Sequence, residues 1–290
     1  MKHIKHLLFL SILCSLVLFT NCGEDEDANT VLDADRDGVA DADDTCADTP
    51  SGETVDSNGC SDSQKDTDGD GVSDDIDTCA DTPEGTTVDE NGCAVTFIYL
   101  DENGVTIKAT EYAVTGESYE LNSLSYLVVD STMLYDMVAN NEDVTKVVTT
   151  NLTNMDALFA DMNFDDEELI TFNQDISTWD VSNVTNMRAM FFGAVYFNQD
   201  IGFWDVGNVT DMESMFYYNV AFNQDIDSWD VSNVTIMSGM FSMAEIFNQD
   251  LSSWDVANVT NCLGFCGSGY SNSSPLWILP KPNFTNCSTE

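Results

Sequence analysis

Two short acidic segments carry the clearest chemistry in this sequence. Residues 33–44 read D-A-D-R-D-G-V-A-D-A-D-D, and residues 66–77 read D-T-D-G-D-G-V-S-D-D-I-D. Carboxylates at alternate positions, a glycine for a sharp turn and an acid at the end match a loop that surrounds Ca²⁺ with oxygen ligands. We therefore predict two calcium sites. The predicted ligands are Asp33, Asp35, Asp37, the carbonyl of Val39, Asp41 and Asp44 in the first loop, and Asp66, Asp68, Asp70, the carbonyl of Val72, Asp74 and Asp77 in the second.

Charge and residue types exclude several other functions. The 290 residues include 52 acidic and 8 basic side chains, for a net charge of −44. This excess argues against nucleic-acid binding, which needs clustered lysine and arginine. Both histidines, His3 and His6, lie in a segment that reads as an export signal. Without histidine, only paired carboxylates remain for acid–base catalysis, and these recur in every repeat rather than at one place. We predict that the protein is not an enzyme.

The acidic loops belong to a repeat with a period of 33 residues. Its pattern, D-x-D-x-D-G-V-x-D-x-x-D-x-C with a second cysteine 14 positions later, resembles the short bacterial form of thrombospondin type 3 repeats over residues 33–93. The resemblance implies little regular secondary structure, with calcium and disulfides replacing a core, and a stalk that stiffens when calcium binds. The alternative is a solvated acidic linker that binds calcium weakly.

The same resemblance bears on the first four cysteines of this region. It makes Cys46–Cys60 and Cys79–Cys93 the natural disulfides, although spacing alone does not prove the pairing. On the chain-entropy description of disulfides, each closed loop contributes about 3 kcal/mol to stability.

The amino terminus predicts export. In residues 1–21, Lys2 and Lys5 precede 13 mostly apolar residues, fewer than the roughly 20 that span a membrane. The end of this segment resembles a bacterial lipoprotein box, which implies acylation of Cys22, with residues 22–32 as an acidic tether to the outer membrane or cell surface. An ordinary secretory signal is the alternative. In both cases the chain leaves the cytoplasm, where disulfides can persist.

A second repeat, with a period of 25 residues, forms the body of the protein. The unit F-N-Q-D-I-S-T-W-D-V-S-N-V-T-N-M starts at Phe172 and recurs from Phe197, Phe222 and Phe247. A fixed period of this length predicts a solenoid in which each coil contacts its neighbours. The unit resembles that of BspA-type leucine-rich-repeat surface proteins over residues 148–266. This resemblance implies a leucine-rich-repeat-like solenoid and adhesion-like binding of a protein or glycan.

The pattern within one unit predicts its local structure. Alternation of Trp179 and Val181 with Asp180 predicts a short parallel strand in 176–181, with Asp180 pointing to solvent. The apolar spacing from Val184 to Phe191 predicts a helical or 3₁₀ return.

Two further segments are predicted to cap the solenoid. In residues 94–147 we expect a hairpin around Asn103-Gly104, a strand at 127–129 and a helix at 132–140. Residues 267–290 form the carboxy-terminal cap, pinned by Cys262–Cys287. A pairing that uses Cys266 is the alternative.

Polar residues recur in columns through the four repeats. For the asparagine columns that begin at Asn173 and Asn183 we predict a structural role, satisfying backbone groups of the neighbouring coil. The aspartate columns that begin at Asp175 and Asp180 are predicted to cap turns or face water. The alternative for both aspartate columns is an acidic face for a basic or calcium-bridged partner.

These features together predict a calcium-binding surface lipoprotein whose repeat body binds a protein or a glycan, and which meets the membrane through its lipid anchor only. The alternatives are a structural spacer of the cell envelope and an accessory glycan-binding subunit. Clustering of the variable positions on one face with aromatic residues such as Phe203, Tyr217 and Tyr218 favours binding. Scattered variable positions favour a spacer.

Overall fold

The computed structural model describes residues 31–160, 171–267 and 277–289. The chain divides between Ala94 and Val95 into two compact units. The predicted export signal and the predicted lipid-attachment residue Cys22 lie outside the described residues. In the described ranges, no helix combines the length and the apolar character that crossing a bilayer requires.

The first unit is built from turns. Its described residues, 31–94, contain one 3₁₀ helix, Asp62–Gln64. Two single antiparallel bridges join Val55 to Ser61 and Val88 to Ala94. Irregular backbone of this kind is expected where glycine and aspartate are frequent and apolar residues are few.

Disulfides replace a core in this unit. Cys46 pairs with Cys60 and Cys79 with Cys93, as the sequence favoured. Within residues 31–94 the buried side chains are Thr49, Cys60, Ser61 and Thr82. Because so little apolar surface is buried, cross-links and hydrogen bonds must supply most of the local order.

The second unit begins with two small sheets and a helix. The elements are β1 (Ile98–Leu100), β2 (Ile107–Ala109), β3 (Ser118–Leu121), β4 (Leu124–Val128), α1 (Ser131–Ala139) and β5 (Val147–Val148). Strands β1 and β2 are antiparallel, as are β3 and β4, whereas β5 runs parallel to β4. The predicted hairpin around Asn103-Gly104 is confirmed. The predicted strand and helix also form: the strand begins three residues and the helix one residue before the predicted start.

Local side-chain bonds explain two of these elements. The Asn103 carboxamide oxygen accepts from the backbone N–H groups of Val105 and Thr106, each at 2.9 Å, which fixes the β1–β2 turn. The Asp130 carboxylate accepts from the N–H of Met133 at 2.9 Å and caps the first turn of α1.

Successive repeats bond to one another through one strip of backbone, residues 186–193 and its equivalents. Parallel bridges link Asn154, Asn186, Asp211, Ile236 and Asn261 in sequence. Every second N–H donates to the next repeat, for example from Ala189 to the Glu213 carbonyl at 2.7 Å. Each intervening N–H closes a tight turn within its own repeat, for example from Phe192 to the Ala189 carbonyl at 3.1 Å.

The strand predicted at Ile176–Val181 is not formed. The N–H of Trp179 instead bonds to the Ile176 carbonyl at 3.1 Å, which closes a turn, and the strand-like bridges lie at the Asn186 position. The predicted outward orientation of Asp180 is also wrong, since this residue is 2% exposed. Earlier residues contact this segment: the Ile107 N–H of β2 donates to the Thr178 carbonyl and the Thr149 hydroxyl donates to the Asp180 carbonyl, each at 2.8 Å.

The predicted helical return is absent as well. Within the described residues of the repeats, 171–267, no helix forms. Two columns of residues have a left-handed backbone, which interrupts a right-handed helix. In the first, φ lies between 53° and 66°, at Ala157, Ala189, Ser214, Gly239 and Gly264. In the second, four positions further along, φ lies between 56° and 71°, at Gly193, Tyr218 and Met243.

Stacked aromatic rings fill the centre of the repeats. The rings of Phe191 and Phe216 lie 5.5 Å apart, and those of Phe197 and Phe222 lie 6.1 Å apart. The two columns touch, since Phe191 and Phe197 are 3.9 Å apart. All four side chains are fully buried. Truncating one ring to alanine in such a core costs about 3–5 kcal/mol.

Both ends of the stack are covered. At the first end, Leu134 of α1 is fully buried, and the Tyr135 hydroxyl donates to the Asp156 carbonyl at 2.6 Å. At the other end, Trp277 packs edge-on against Phe247 at 4.9 Å. The Cys262–Cys287 disulfide joins the last repeat to the tail. This is the pairing that the sequence favoured.

Candidate cation sites and the repeat surface

The structure brings together three carboxylates in each predicted calcium loop. Ligand oxygens of the first group all lie within 4.8 Å of one another, and the same holds for the second group. The groups are Asp33, Asp35 and Asp37, and Asp66, Asp68 and Asp70. Three oxygens at this spacing are the start of the oxygen shell that a hard cation takes.

Backbone N–H groups hold the first cluster in place. The Asp33 carboxylate accepts from Arg36 at 2.7 Å and from Gly38 at 3.3 Å. Asp35 accepts from the Thr49 N–H, 14 residues further along the chain, at 2.8 Å. Asp37 accepts from the nearby Val39 N–H at 2.7 Å. These bonds orient the carboxylates without neutralising them.

The second cluster repeats this arrangement at the equivalent residues. The Asp66 carboxylate accepts from Gly69 and Gly71, each at 2.9 Å. Thr82 donates to Asp68 at 2.7 Å, as Thr49 does to Asp35 in the first loop. The agreement between two independent copies shows that the pattern is set by sequence.

One oxygen in each cluster is left without a partner. Oδ2 of Asp37 and Oδ2 of Asp70 are both buried, and neither has a hydrogen-bond partner among the described residues. A buried carboxylate oxygen without a donor is costly, and a bound cation would remove that cost.

A glycine brings a fourth carboxylate to each cluster. A Cβ at Gly59 would lie 2.1 Å from Oδ1 of Asp44 and 3.0 Å from Oδ2 of Asp37. In the second loop, a Cβ at Gly92 would lie 2.1 Å from Oδ1 of Asp77. Only glycine leaves room for these carboxylates, so Asp44 and Asp77 adjoin the clusters as the spacing predicted.

The other predicted ligands are used differently. Asp41 accepts from the Ala34 N–H at 2.7 Å, and Asp74 accepts from the N–H and hydroxyl of Thr67 at 2.8 and 2.6 Å. Neither belongs to its group of three close oxygens. The carbonyl groups of Val39 and Val72 stay predicted ligands.

The pKa values of two acids in the second loop, Asp70 and Asp74, are shifted in opposite directions. Partial burial raises the pKa of Asp70, and the negative charges of Asp68, Asp77 and Asp66 raise it further. The pKa of Asp74 is lowered, first by the bond from the Thr67 hydroxyl and then by that from the Thr67 N–H. The centre of the cluster is therefore where excess negative charge accumulates.

The asparagine columns of the repeats satisfy backbone groups, as predicted. Each side-chain amide of the Asn183 column donates to a carbonyl earlier in the chain at 2.7–2.8 Å, as Asn208 does to Ser182 and Asn233 to Gly207. In the other column, the Asn198 carboxamide accepts from the Asn223 N–H at 2.9 Å. These ladders lock neighbouring repeats in register.

The aspartate columns cap turns, as predicted. Oδ1 of Asp205 accepts from the Gly207 N–H at 3.1 Å, and Oδ1 of Asp225 accepts from the Asp227 N–H at 3.1 Å. The same bond, to the residue two positions ahead, recurs in the other repeats at 3.0–3.1 Å, for Asp175, Asp180, Asp200, Asp230, Asp250 and Asp255.

Comparison with known proteins identifies the family of this stack. A family model described as "Mycoplasma protein of unknown function, DUF285" matches residues 129–217 and 161–275, which together make up just over half of the chain. The chain belongs to the DUF285 family. No curated protein and no solved structure matches it. The DUF285 match takes in α1 and all four repeats and leaves out the two acidic loops.

One column of the DUF285 stack changes residue type in every repeat. Its members are Arg188, Glu213, Ser238 and Leu263. The backbone ladder keeps them in register, since Ala189 donates to the Glu213 carbonyl and Ser214 to the Ser238 carbonyl. Leu263 is 60% exposed. This column is a surface whose chemistry changes along the stack.

Aromatic residues adjoin this variable column. The rings of Phe192 and Tyr217 stack at 4.8 Å with a 4° angle between their planes. Both lie on the strip of residues 186–193 and its equivalent, four positions beyond Arg188 and Glu213. Phe203, which is 53% exposed, belongs to a different column. The aromatic residues named from sequence therefore form more than one surface.

Three features of the DUF285 stack and the loops were not predicted from sequence. One is the left-handed column that begins at Ala157, in which Gly239 and Gly264 occupy two of the five positions. The crowded sites of Gly59 and Gly92 were also missed, and no sequence signal distinguishes them from other glycines. The third is Asn219, a fully buried amide whose equivalents are alanines.

Proposed function

We propose that this protein is an exported, lipid-anchored surface protein. In this proposal a calcium-braced stalk of thrombospondin type 3 character, residues 33–93, carries a BspA-like solenoid that binds a protein or a glycan. Three disulfides support a location in an oxidising compartment. The absence of histidine beyond His6 supports a binding role rather than catalysis. So does the use of the repeated aspartates as turn caps.

The calcium proposal rests on the two carboxylate clusters. The unpartnered oxygens of Asp37 and Asp70, and the carboxylates of Asp44 and Asp77 for which Gly59 and Gly92 leave room, fit a cation with oxygen ligands. Such an ion would neutralise part of the repulsion within each cluster. Backbone N–H groups, such as those of Thr49 and Thr82, would position the acids for the ion.

The observation that carries the binding proposal is the pair formed by Phe192 and Tyr217 beside the variable column. The backbone bonds of the repeats are the same in each copy, whereas the variable column differs: Arg188 pairs with Asp156 at 3.0 Å, Ser238 donates to Glu213 at 3.2 Å, and Leu263 is 60% exposed. Stacked aromatic rings next to varied polar side chains are typical of interaction surfaces.

A binding assay with two matched variants tests this proposal. The purified protein is applied to arrays of immobilised glycans and of extracellular matrix proteins. Tyr217→Ser is the test variant, because Ser242 holds the equivalent position. Phe203→Ser is the control, because Ser228 holds its equivalent.

We expect saturable binding to one probe that Tyr217→Ser weakens at least about tenfold, as for an aromatic hot spot, and that Phe203→Ser leaves unchanged. Equal effects of the two variants would contradict the assignment of the surface. Absence of binding to every probe would favour the spacer function.

A further inference from the structure

The residues enclosed by each disulfide also contact the carboxylate cluster. In the first loop the Cys46 N–H donates to Asp44 at 2.8 Å, and the Thr49 N–H donates to Asp35 at 2.8 Å. In the second loop the equivalent donors lie at 2.7 Å from their acceptors. The cysteine loop therefore supplies donors to two acids of each cluster.

A buried threonine connects the two ends of the cysteine loop. The Thr49 hydroxyl lies 3.1 Å from the Cys46 carbonyl oxygen and 2.9 Å from that of Gly59. Gly59, next to Cys60, is the residue that packs against Asp44 and Asp37. We call Gly59 the glycine wall, because the Asp44 and Asp37 carboxylates pack against it, and the disulfide holds it in place.

We propose that disulfide closure and calcium binding are coupled in each of these two repeats. The inference rests on the calcium binding proposed above. With the disulfide closed, the glycine wall and the threonine donor keep four carboxylates together. With the disulfide open, their mutual repulsion separates them, so the reduced loop binds calcium more weakly. Because linkage is reciprocal, bound calcium protects the disulfide against reduction by the same factor.

The reduction step is an ordinary thiol–disulfide exchange with a dithiol. One thiolate of the reagent attacks a sulfur of Cys46–Cys60 and releases the other cysteine as a thiolate. The second thiol of the reagent then displaces the bound cysteine. The reagent leaves as a cyclic disulfide, and the protein gains two electrons and two protons as two cysteine thiols.

The test is the equilibrium reduction of each disulfide in the full chain, with and without calcium. The protein is equilibrated in a buffer of reduced and oxidised dithiothreitol and alkylated, and mass spectrometry measures the reduced fraction of each pair. We expect calcium to lower the equilibrium constant for reduction of Cys46–Cys60 and Cys79–Cys93 by about tenfold or more. Cys262–Cys287, which encloses neither cluster, is the internal control and should not respond.

Two glycine variants distinguish the contact between the glycine wall and the carboxylates from the backbone strain that any substitution at positive φ brings. Gly59→Ala places a Cβ on Asp44, whereas Gly52→Ala meets no atom within 4 Å, and both glycines have positive φ. We expect Gly59→Ala to abolish protection of Cys46–Cys60 while Cys79–Cys93 in the same molecule stays protected. Gly52→Ala should retain both. Asp33→Asn, which leaves the wall intact, should also remove protection of the first disulfide alone.

Calorimetric titration of the same protein with calcium distinguishes two failures. Measurable binding with unchanged equilibrium reduction of both disulfides would overturn the coupling and leave the calcium sites standing. Absence of binding would overturn both.

Discussion

The indole nitrogen of Trp229 donates a 3.1 Å hydrogen bond to the carbonyl oxygen of Ile201 in the preceding repeat. Trp204 and Trp254 make the same bond to Ile176 and Ile226, at 3.3 and 3.1 Å. A buried indole N–H needs an acceptor, and here the acceptor belongs to a neighbour. Each tryptophan therefore joins two repeats as well as filling the core.

Replacing Trp229 with phenylalanine removes that bond between repeats, and the Ile201 carbonyl keeps its bond from the Trp204 N–H at 3.2 Å. We expect the variant to lose about 2 kcal/mol in free energy of unfolding, from the lost bond and the smaller ring. Urea denaturation followed by circular dichroism measures this loss. Phe203→Ser, at an exposed position, should change the value by less than about 0.5 kcal/mol. Equal losses would show that the tryptophan bond contributes little.

Asn219 is a buried amide whose Nδ2 has no hydrogen-bond partner among the described residues. Its Oδ1 accepts from the Phe222 N–H at 3.1 Å, but at Ala194 and Ala244 the backbone carbonyl accepts the equivalent bond. We expect Asn219→Ala to raise the melting temperature, since about 1 kcal/mol or more of desolvation cost is removed. A lower melting temperature would mean that the amide has a partner that the alanine variant loses.

Ser214 adopts a left-handed backbone with φ of 55°, at a position where two other repeats have glycine. Glycine avoids the cost of about 1 kcal/mol that an L-residue carries there. We expect Ser214→Gly to increase the free energy of unfolding in urea. The matched control is Ser232→Gly, whose equivalent in another repeat is Gly207 and whose φ is not positive. That change should bring no gain.

The pH dependence of the stack follows from its capping acids. Hydroxyl and N–H donors of Ser232 and Ser252 lower the pKa of Asp230 and Asp250 below the ordinary value of 3.8. Their contribution to stability is therefore complete above pH 4 and is lost as pH falls through the lowered folded-state values.

Tryptophan fluorescence measures this loss in the repeats, because all five tryptophans lie between residues 179 and 277. The melting temperature should stay level from pH 7 to pH 5 and fall below pH 4. Ser252→Ala should reduce the fall. A melting temperature that is independent of pH would contradict the capping role.

The sequence predicted those parts of the molecule that depend on repetition or on local turn chemistry. The 25-residue period placed Trp179 and Phe191 in the core, and the Asn103-Gly104 pair located the β1–β2 turn. The cysteine spacing favoured the pairs that the structure contains. In each case a short stretch of sequence determines the geometry.

The failures came from contacts between distant residues. Alternation around Asp180 resembled a strand, but that segment turns, and Asp180 is buried where Ile107 and Thr149, about 70 and 30 positions earlier in the chain, bond to the segment. The spacing of Met187 and Phe191 matched a helix, yet Ala189 between them has a left-handed backbone, and its N–H donates to the Glu213 carbonyl of the next repeat. The spacing of side chains within one repeat does not show such contacts between repeats.

The most direct test of the account is calcium titration of the purified full chain, followed by limited proteolysis. We expect two sites, and we expect calcium to protect residues 33–93 from cleavage, with chelation restoring sensitivity. Asp33→Asn combined with Asp66→Asn should abolish both effects while the tryptophan fluorescence of the repeats stays unchanged. Equal cleavage of residues 33–93 with and without calcium, or full calcium binding by the double variant, would contradict the account.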